Sequence, residues 1–163
     1  MHGVDISIPA VEAAARRYPP SGVAGGAAYD PGVAGYEWIV ANADRFVPYA
    51  EGTFSRVLSI TARMNSAEFR RVSRDDGKLL IAIPAPDDLI ELRGVGRDRV
   101  DRTIETFASD FALLDQRRAT TVSNLDRDAV HDVLLSIYRP RAIEKVNAMR
   151  VTFSLDLLLF AAR

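Results

Sequence analysis

The chain has 163 residues, 48% hydrophobic and 26% charged, a balance that excludes extensive disorder and supplies one substantial core. It has no cysteine, which excludes a disulfide framework and any thiolate zinc site. Its formal net charge of -1 gives no global attraction to nucleic acid, so RNA binding would need a local basic patch or a further domain. No apolar run approaches the roughly 20 residues that span a bilayer, and the amino terminus has no secretory pattern, so the expected setting is the cytoplasm with no membrane partner.

In chain order, Gly3-Val4-Asp5-Ile6-Ser7 reads as the end of a buried strand carrying an acid, and Pro9 to Tyr18 as the helix that follows. The stretch 19–35, rich in Gly, Ala and Pro, reads as a flexible insertion. No apolar strand leads into it, and it lacks the Lys-Ser or Lys-Thr ending of a phosphate loop. Tyr36 to Ala41 is the next strand, with Asn42-Ala43-Asp44 at its end, and Phe54 to Ile60 is a third. A helix follows from Ser66, as N-cap, to about Arg74, closed by Asp75-Asp76-Gly77. Lys78 to Ile83 is a buried strand stopped by Pro84-Ala85-Pro86, after which Asp87 or Asp88 caps a helix carrying Leu89, Ile90 and Leu92. Gly94 to Arg102 is basic and irregular. Ala112 to Ser123, Asp126 to Tyr138 and Met149 to Ala161 read as strand, helix, strand. Strands alternating with helices predict an α/β fold with a mainly parallel sheet, in one domain over 1–163 with no internal repeat.

An acid at a strand tip is the ribose ligand in nucleotide-binding α/β folds, and the glycine loop of such folds lies roughly 20 residues upstream. Only four residues precede Asp5.

Several motifs resemble the class I S-adenosylmethionine-dependent methyltransferases, and more closely the branch that methylates N1 of a guanine in bacterial 23S ribosomal RNA. Gly3 to Ser7 with Ala13-Ala14-Ala15-Arg16-Arg17-Tyr18-Pro19 is similar to that family's second strand and following helix. Asn42 to Arg45, Val47-Pro48-Tyr49 and Gly52-Thr53-Phe54 are similar to its third strand and downstream loop. Glu68 to Val72, Ile83-Pro84-Ala85-Pro86, Leu89 and Glu91-Leu92-Arg93-Gly94 continue the likeness to nearly the whole chain. The resemblance implies a Rossmann-like methyltransferase sheet without its first strand and glycine-rich loop, ending in an antiparallel strand pair. It also implies S-adenosylmethionine as cofactor, with weak or no binding expected, and ribosomal RNA as partner.

By the same resemblance, Asp5 accepts from the donor's ribose hydroxyls, Ala43 and Asp44 hold its adenine, and Ile6 and Thr61 are further cofactor-binding residues. For Asp5 the alternative is an exposed acid in a frayed terminus, and for Asp44 a cap or loop acid. Ala62, Arg63 and Asn65 are the acceptor-side candidates. Arg63 stands where the branch has proline, and Asp88 where it tends to have histidine. Asn65 can hydrogen-bond a base edge, but its stronger reading is to start the helix at Ser66. Methyl transfer requires alignment rather than a nucleophile or metal, and His2 and His131 have no triad partner in the sequence. Arg93, Arg97, Arg99 and Arg102, with Arg117-Arg118 and Arg139-Arg141, form either a phosphate-binding rim or solvated charges balanced by Asp98, Asp101 and Glu105. Three functions remain open: an rRNA guanine methyltransferase, a small-molecule methyltransferase, and a non-catalytic binding module whose open strand edges a partner or a second copy completes.

Overall fold

A computed structural model describes residues 1–19, 35–62, 64–137 and 146–163. The insertion over 19–35, Arg63, Tyr138 and Arg139-Arg141 thus fall wholly or largely outside the described residues.

Strand β1 (His2–Asp5) ends where Ser7 caps helix α1 (Ile8–Arg17) by accepting from the Ala10 amide, with Pro9 in the first turn, where its missing N–H costs nothing. Strand β2 (Glu37–Val40) pairs with β1 in parallel, His2 opposite Glu37 and Asp5 opposite Val40, as a separate two-stranded sheet. Packing of Trp38 against Gly3 explains that glycine: a Cβ there would lie 2.3 Å from the indole ring.

The second sheet contains β3 (Phe54–Ile60), β4 (Ser73–Pro84), β5 (Phe111–Leu125) and β6 (Met149–Ala162), in the spatial order β3-β4-β6-β5. β3 and β4 are parallel, whereas β6 lies antiparallel between β4 and β5. The mainly parallel sheet is therefore only partly realised. β5, helix α5 (Arg127–Ser136) and β6 are consecutive, and the chain returns beside the strand it has just left, so two of the three pairings in this sheet are antiparallel.

Four local expectations are corrected. Helix α2 (Ser66–Val72) is capped by Asn65, whose side chain accepts from the Glu68 amide, rather than by Ser66. It ends at Val72, because β4 begins at Ser73, ahead of the apolar run, with a register irregularity as Phe54 pairs with Ser73 and Arg56 with Lys78. The short helix α3 (Ile90–Arg93) has no side-chain cap, and Leu89 precedes it in the left-handed region at φ 51°. The basic segment after Gly94 runs into helix α4 (Val100–Phe107), started by Asp98 accepting from the Val100 amide. The signal for α4 was Val100, Thr103, Ile104 and Phe107 at i, i+3, i+4, i+7.

α2 and α4 cover one face of the larger sheet. Leu79, Ile81 and Ile83 of β4 and Leu158 and Phe160 of β6 pack there with Phe69, Val100, Phe107 and Phe111. On the opposite face Leu58 is 62% exposed and Ile60 57%. A second cluster, of Leu92, Val130 and Val151, packs α3 and α5 against the β5–β6 ladder. That ladder runs on from Thr120 opposite Ser154 to Leu125 opposite Met149, roughly 20 Å past the end of β4.

A charge clamp joins the loop after β2 to α2. Glu68 accepts from the Val47 amide and from two Arg71 nitrogens, while Arg71 donates to the carbonyls of Val47 and Tyr49 and lies over the Phe46 ring. The Arg71 hydrogen bonds outweigh burial and, with the Val47 amide, hold the Glu68 carboxyl at about 2 instead of 4.5. Because the folded value is depressed, the stability gained from this carboxylate is complete above pH 4.5 and disappears as pH falls toward 2.

Two outcomes follow from this packing. Phe107→Ala removes a fully buried ring lying 5.7 Å from Phe160 and 5.9 Å from Phe111, and should cost about 3–5 kcal/mol in urea unfolding. Glu68→Gln should lower the melting temperature at neutral pH and flatten its decline between pH 4.5 and 2; an unchanged acid limb would contradict the clamp.

Candidate functional site

The carboxyl ends of the parallel strands point to one side of the molecule, which is where ligands of such sheets bind. At the tip of the small sheet, the Ala41 amide donates to the Asp5 carbonyl at 3.0 Å, bringing the loop after β2 against the end of β1. Asp5 Oδ1 accepts from the Ser7 amide at 2.7 Å within its own turn. Ile6, just beyond, is 67% exposed. In the neighbouring loop the Asp44 amide donates to Asn42 Oδ1 at 3.0 Å. Exposed Asp5 and Ile6 thus lie at the same end of the small sheet as half-buried Ala43 and Asp44.

The loop after β3 joins this corner. Asn65 Nδ2 donates to the Asp44 carbonyl at 2.8 Å, while Asn65 Oδ1 caps α2. Both ends of that amide are engaged in building the loop, in keeping with its reading as a helix-starting residue. Thr61 has φ 49°, a left-handed conformation that strains a β-branched residue, and its amide still donates to the Ala82 carbonyl at 2.9 Å. Ala62 follows it, exposed.

Beside the carboxyl end of β4 lies a charged cluster that sequence reasoning missed. Asp156, 3% exposed in the apolar strand β6, accepts from Arg118 Nε at 2.8 Å and Nη2 at 3.0 Å. These hydrogen bonds push the Arg118 guanidinium above its ordinary value, against the opposing effect of burial. Asp88, also buried, accepts from the Ser154 amide at 2.8 Å and from Arg93 Nη2 at 2.6 Å. Asp88 is therefore a structural brace between the loop after β4 and β6, and Arg93 belongs to that brace rather than to a rim shared with Arg97 and Arg99. Arg117 pairs with Asp115 on the exposed side of β5. An acid at position 156 within Phe153-Ser154-Leu155-Asp156-Leu157 was the available signal, since a buried carboxylate requires a cationic or hydrogen-bonding partner.

Asp87, next to the brace, is only half covered. Its Oδ1 atom is buried, makes no hydrogen bond to the described residues, and lies 4.0 Å from Arg118 Nη1. The loop after α3 closes over the same place through the Gly96 amide, which donates to the Pro86 carbonyl at 2.6 Å.

No family model matches the chain. Among curated proteins, it is 31% identical over 137 residues to a Bacillus subtilis (strain 168) protein provisionally named 23S rRNA (guanine-N1) methyltransferase, covering 75% of this chain and 48% of that protein. It is 32% identical, also over 137 residues, to the 23S rRNA (guanine(748)-N(1))-methyltransferase of Streptomyces fradiae, covering 80% of this chain and 44% of that one. The chain spans about half the length of the curated relatives it matches. Among solved structures, a provisionally named methyltransferase of Bacillus halodurans superposes with TM-score 0.57 at 12% identity, covering 98% of this chain and 81% of that one. The YcgJ protein of Bacillus subtilis gives 0.56 at 17% identity, covering 99% and 81%. The [4+2]-cyclase SpnF gives 0.55 at 11%, covering 98% and 65%, and at such identities the likeness is one of fold alone. The fold and the sequence relatives agree: the chain has the fold of methyltransferase structures, and its curated homologues are 23S rRNA (guanine-N1) methyltransferases.

Proposed function

We propose that the chain serves transfer of a methyl group from S-adenosylmethionine to N1 of a guanine in 23S rRNA, in the cytoplasm. The observation that carries this reading is the homology over three quarters of the chain to enzymes so named. The hydrogen bond from Asn65 to Asp44, which joins the expected donor and acceptor loops, supports it.

When bound, the donor supplies an electrophilic methyl group on a sulfonium. The residues at the small sheet fit its adenosine half. Asp5 keeps a second carboxylate oxygen outside its own turn for the ribose hydroxyls, and Ile6 offers an exposed apolar side chain to the adenine face. Ala43 and Asp44 provide a backbone amide and a carboxylate for the adenine edge. Thr61 stands on the donor side of the loop after β3, Ala62 follows it toward the acceptor, and Asn65 fixes the loop's position. Since Asp5 and Ile6 are exposed, and the contacts named among the described residues address the adenosine half, the chain binds donor weakly.

The expected result in calorimetry is no micromolar binding of S-adenosylmethionine or its demethylated product. With millimolar labelled donor and a 23S rRNA transcript, slow label incorporation at guanine N1 is expected. Micromolar binding would overturn the weak-donor reading. Label only in a small-molecule acceptor, or none, would overturn the rRNA reading.

One observation favours a second reading, a binding module. β1 and β3 belong to different sheets, and each is paired on one side only among the described residues. They run the same way, since His2 and Phe54 stack edge to face at their starts, 5.4 Å apart, and the loops beyond β2 and β3 meet at Asp44 and Asn65. An extended apolar segment of a partner polypeptide would pair with both edges and cover Leu58 and Ile60. In the isolated monomer, the β3 amides directed away from β4 should exchange hydrogen much faster than those of β4; equal protection would exclude an open edge.

A further inference from the structure

We propose that the uncovered face of the larger sheet docks an amphipathic helix of a partner polypeptide, apolar along one side and acidic at one end. The inference rests on the binding-module reading given above and names the element that such a partner brings to this face.

Strand register fixes which residues share the face. Leu58 stands opposite Leu80, and Leu80 opposite Leu159. One step further, Ile60 stands opposite Ala82, and Ala82 opposite Leu157, with Leu155 next along β6 on the same side. Side chains opposite one another project to the same side of a sheet, so these residues form one aliphatic block. The intervening positions Leu79, Ile81, Leu158 and Phe160 project to the other side, where packing with α2 and α4 leaves each 1% exposed or less. On the block's own side Leu58 and Ile60 are exposed, and Leu80, Leu155, Leu157 and Leu159 are only half-buried. Helix α5 packs on that side along the projecting ladder alone, with Leu125, Met149 and Phe153. Among the described residues the parallel pair β3–β4 is therefore buried on one face, whereas strands of that kind are ordinarily buried on both.

The block has the dimensions of one helix. Lys78 to Pro84 spans roughly 20 Å, the length of about 13 helical residues, and the three strands β3, β4 and β6 present a width of about 10 Å, one helix diameter. A flat second sheet fits less well, because on β5 the positions opposite Leu159 and Leu157 are Asp115 and Arg117, which interrupt the apolar surface and bond to each other. Charge fixes the polarity of the occupant. Arg56 and Lys78 stand opposite one another at the amino end of the block, both exposed and neither in an ion pair with the described residues. A helix lying on the leucines with carboxylates in the turn above these two cations satisfies both parts of the surface.

The test titrates the full chain with a helical peptide of about 14 residues, bearing leucines at i, i+3, i+4 and i+7 and glutamates in one terminal turn, and with its counterpart carrying lysines in that turn. Under nuclear magnetic resonance detection the acidic peptide should shift the methyl signals of Leu58, Ile60 and Leu157 and leave those of Leu79 in place. It should bind about tenfold more tightly than the lysine peptide at low salt, and the double variant Arg56→Glu, Lys78→Glu should reverse that order at an unchanged melting temperature. Leu58→Ser should weaken the acidic peptide about tenfold. No binding, equal binding of the two peptides, an order that survives charge reversal, or self-association of the chain that Leu58→Ser abolishes would each overturn the proposal, the last by assigning the face to a second copy. Absence of peptide binding together with rapid exchange of the outward β3 amides would defeat this inference alone. Peptide binding on this face with those amides as protected as the amides of β4 would defeat the open-edge reading alone.

Discussion

Backbone pairing within β4 is the constraint from which the other features follow. A strand whose side chains are buried on the core face must have its N–H and C=O groups bonded on both sides, and β4 achieves this between parallel β3 and antiparallel β6. That arrangement fixes the level of the sheet's carboxyl end, because Ile83 and Pro84 stand opposite Asp156 and Leu155. Among the described residues it also leaves β3 with one unpaired edge and places β1 and β2 in a sheet of their own. The loops after β2 and β3 are then held together by side chains, through Asn65 and through the clamp of Glu68 and Arg71, rather than by a continuous ladder.

Charge placement at the same end of the sheet is dominated by buried pairs. Buried Asp88 and Asp156 would be costly without partners, and each obtains an arginine and, for Asp88, a backbone amide. Truncating one partner of such a pair is more damaging than never having built it, so these four residues are tied together. Asp87 is half exposed and pairs more loosely with the same guanidinium, 4.0 Å from Arg118 Nη1. The strained backbone at Thr61 occurs on the same side of the molecule, where the loop after β3 turns toward the small sheet.

Much of the element order was legible because it depends on local patterns. Phe54 to Ile60 matches its strand boundary for boundary, and the final strand begins at Met149 as its apolar run does. Errors arose where a contact remote in sequence overrode the local pattern. Ser73 to Gly77 looked like the end of a helix with a polar turn, but Ser73 finds Phe54 across the sheet and the strand starts there. Arg93 read as either a rim residue or a solvated charge, whereas it pairs with buried Asp88. The helix at Val100 to Phe107 had the correct spacing, obscured by the arginines that precede it.

By itself the sequence determined the alternation of elements, the apolar runs of the core and the family likeness, since periodicity, capping residues and motif order are properties of neighbouring positions. Only the tertiary structure decided that β6 enters between β4 and β5, that the sheet is divided beside β1, and that Asp87 faces Arg118. The physical reason is common to all three. Strand pairing and ion pairing join residues far apart in the chain, and several such pairings satisfy the same local pattern until packing and backbone hydrogen bonding select one.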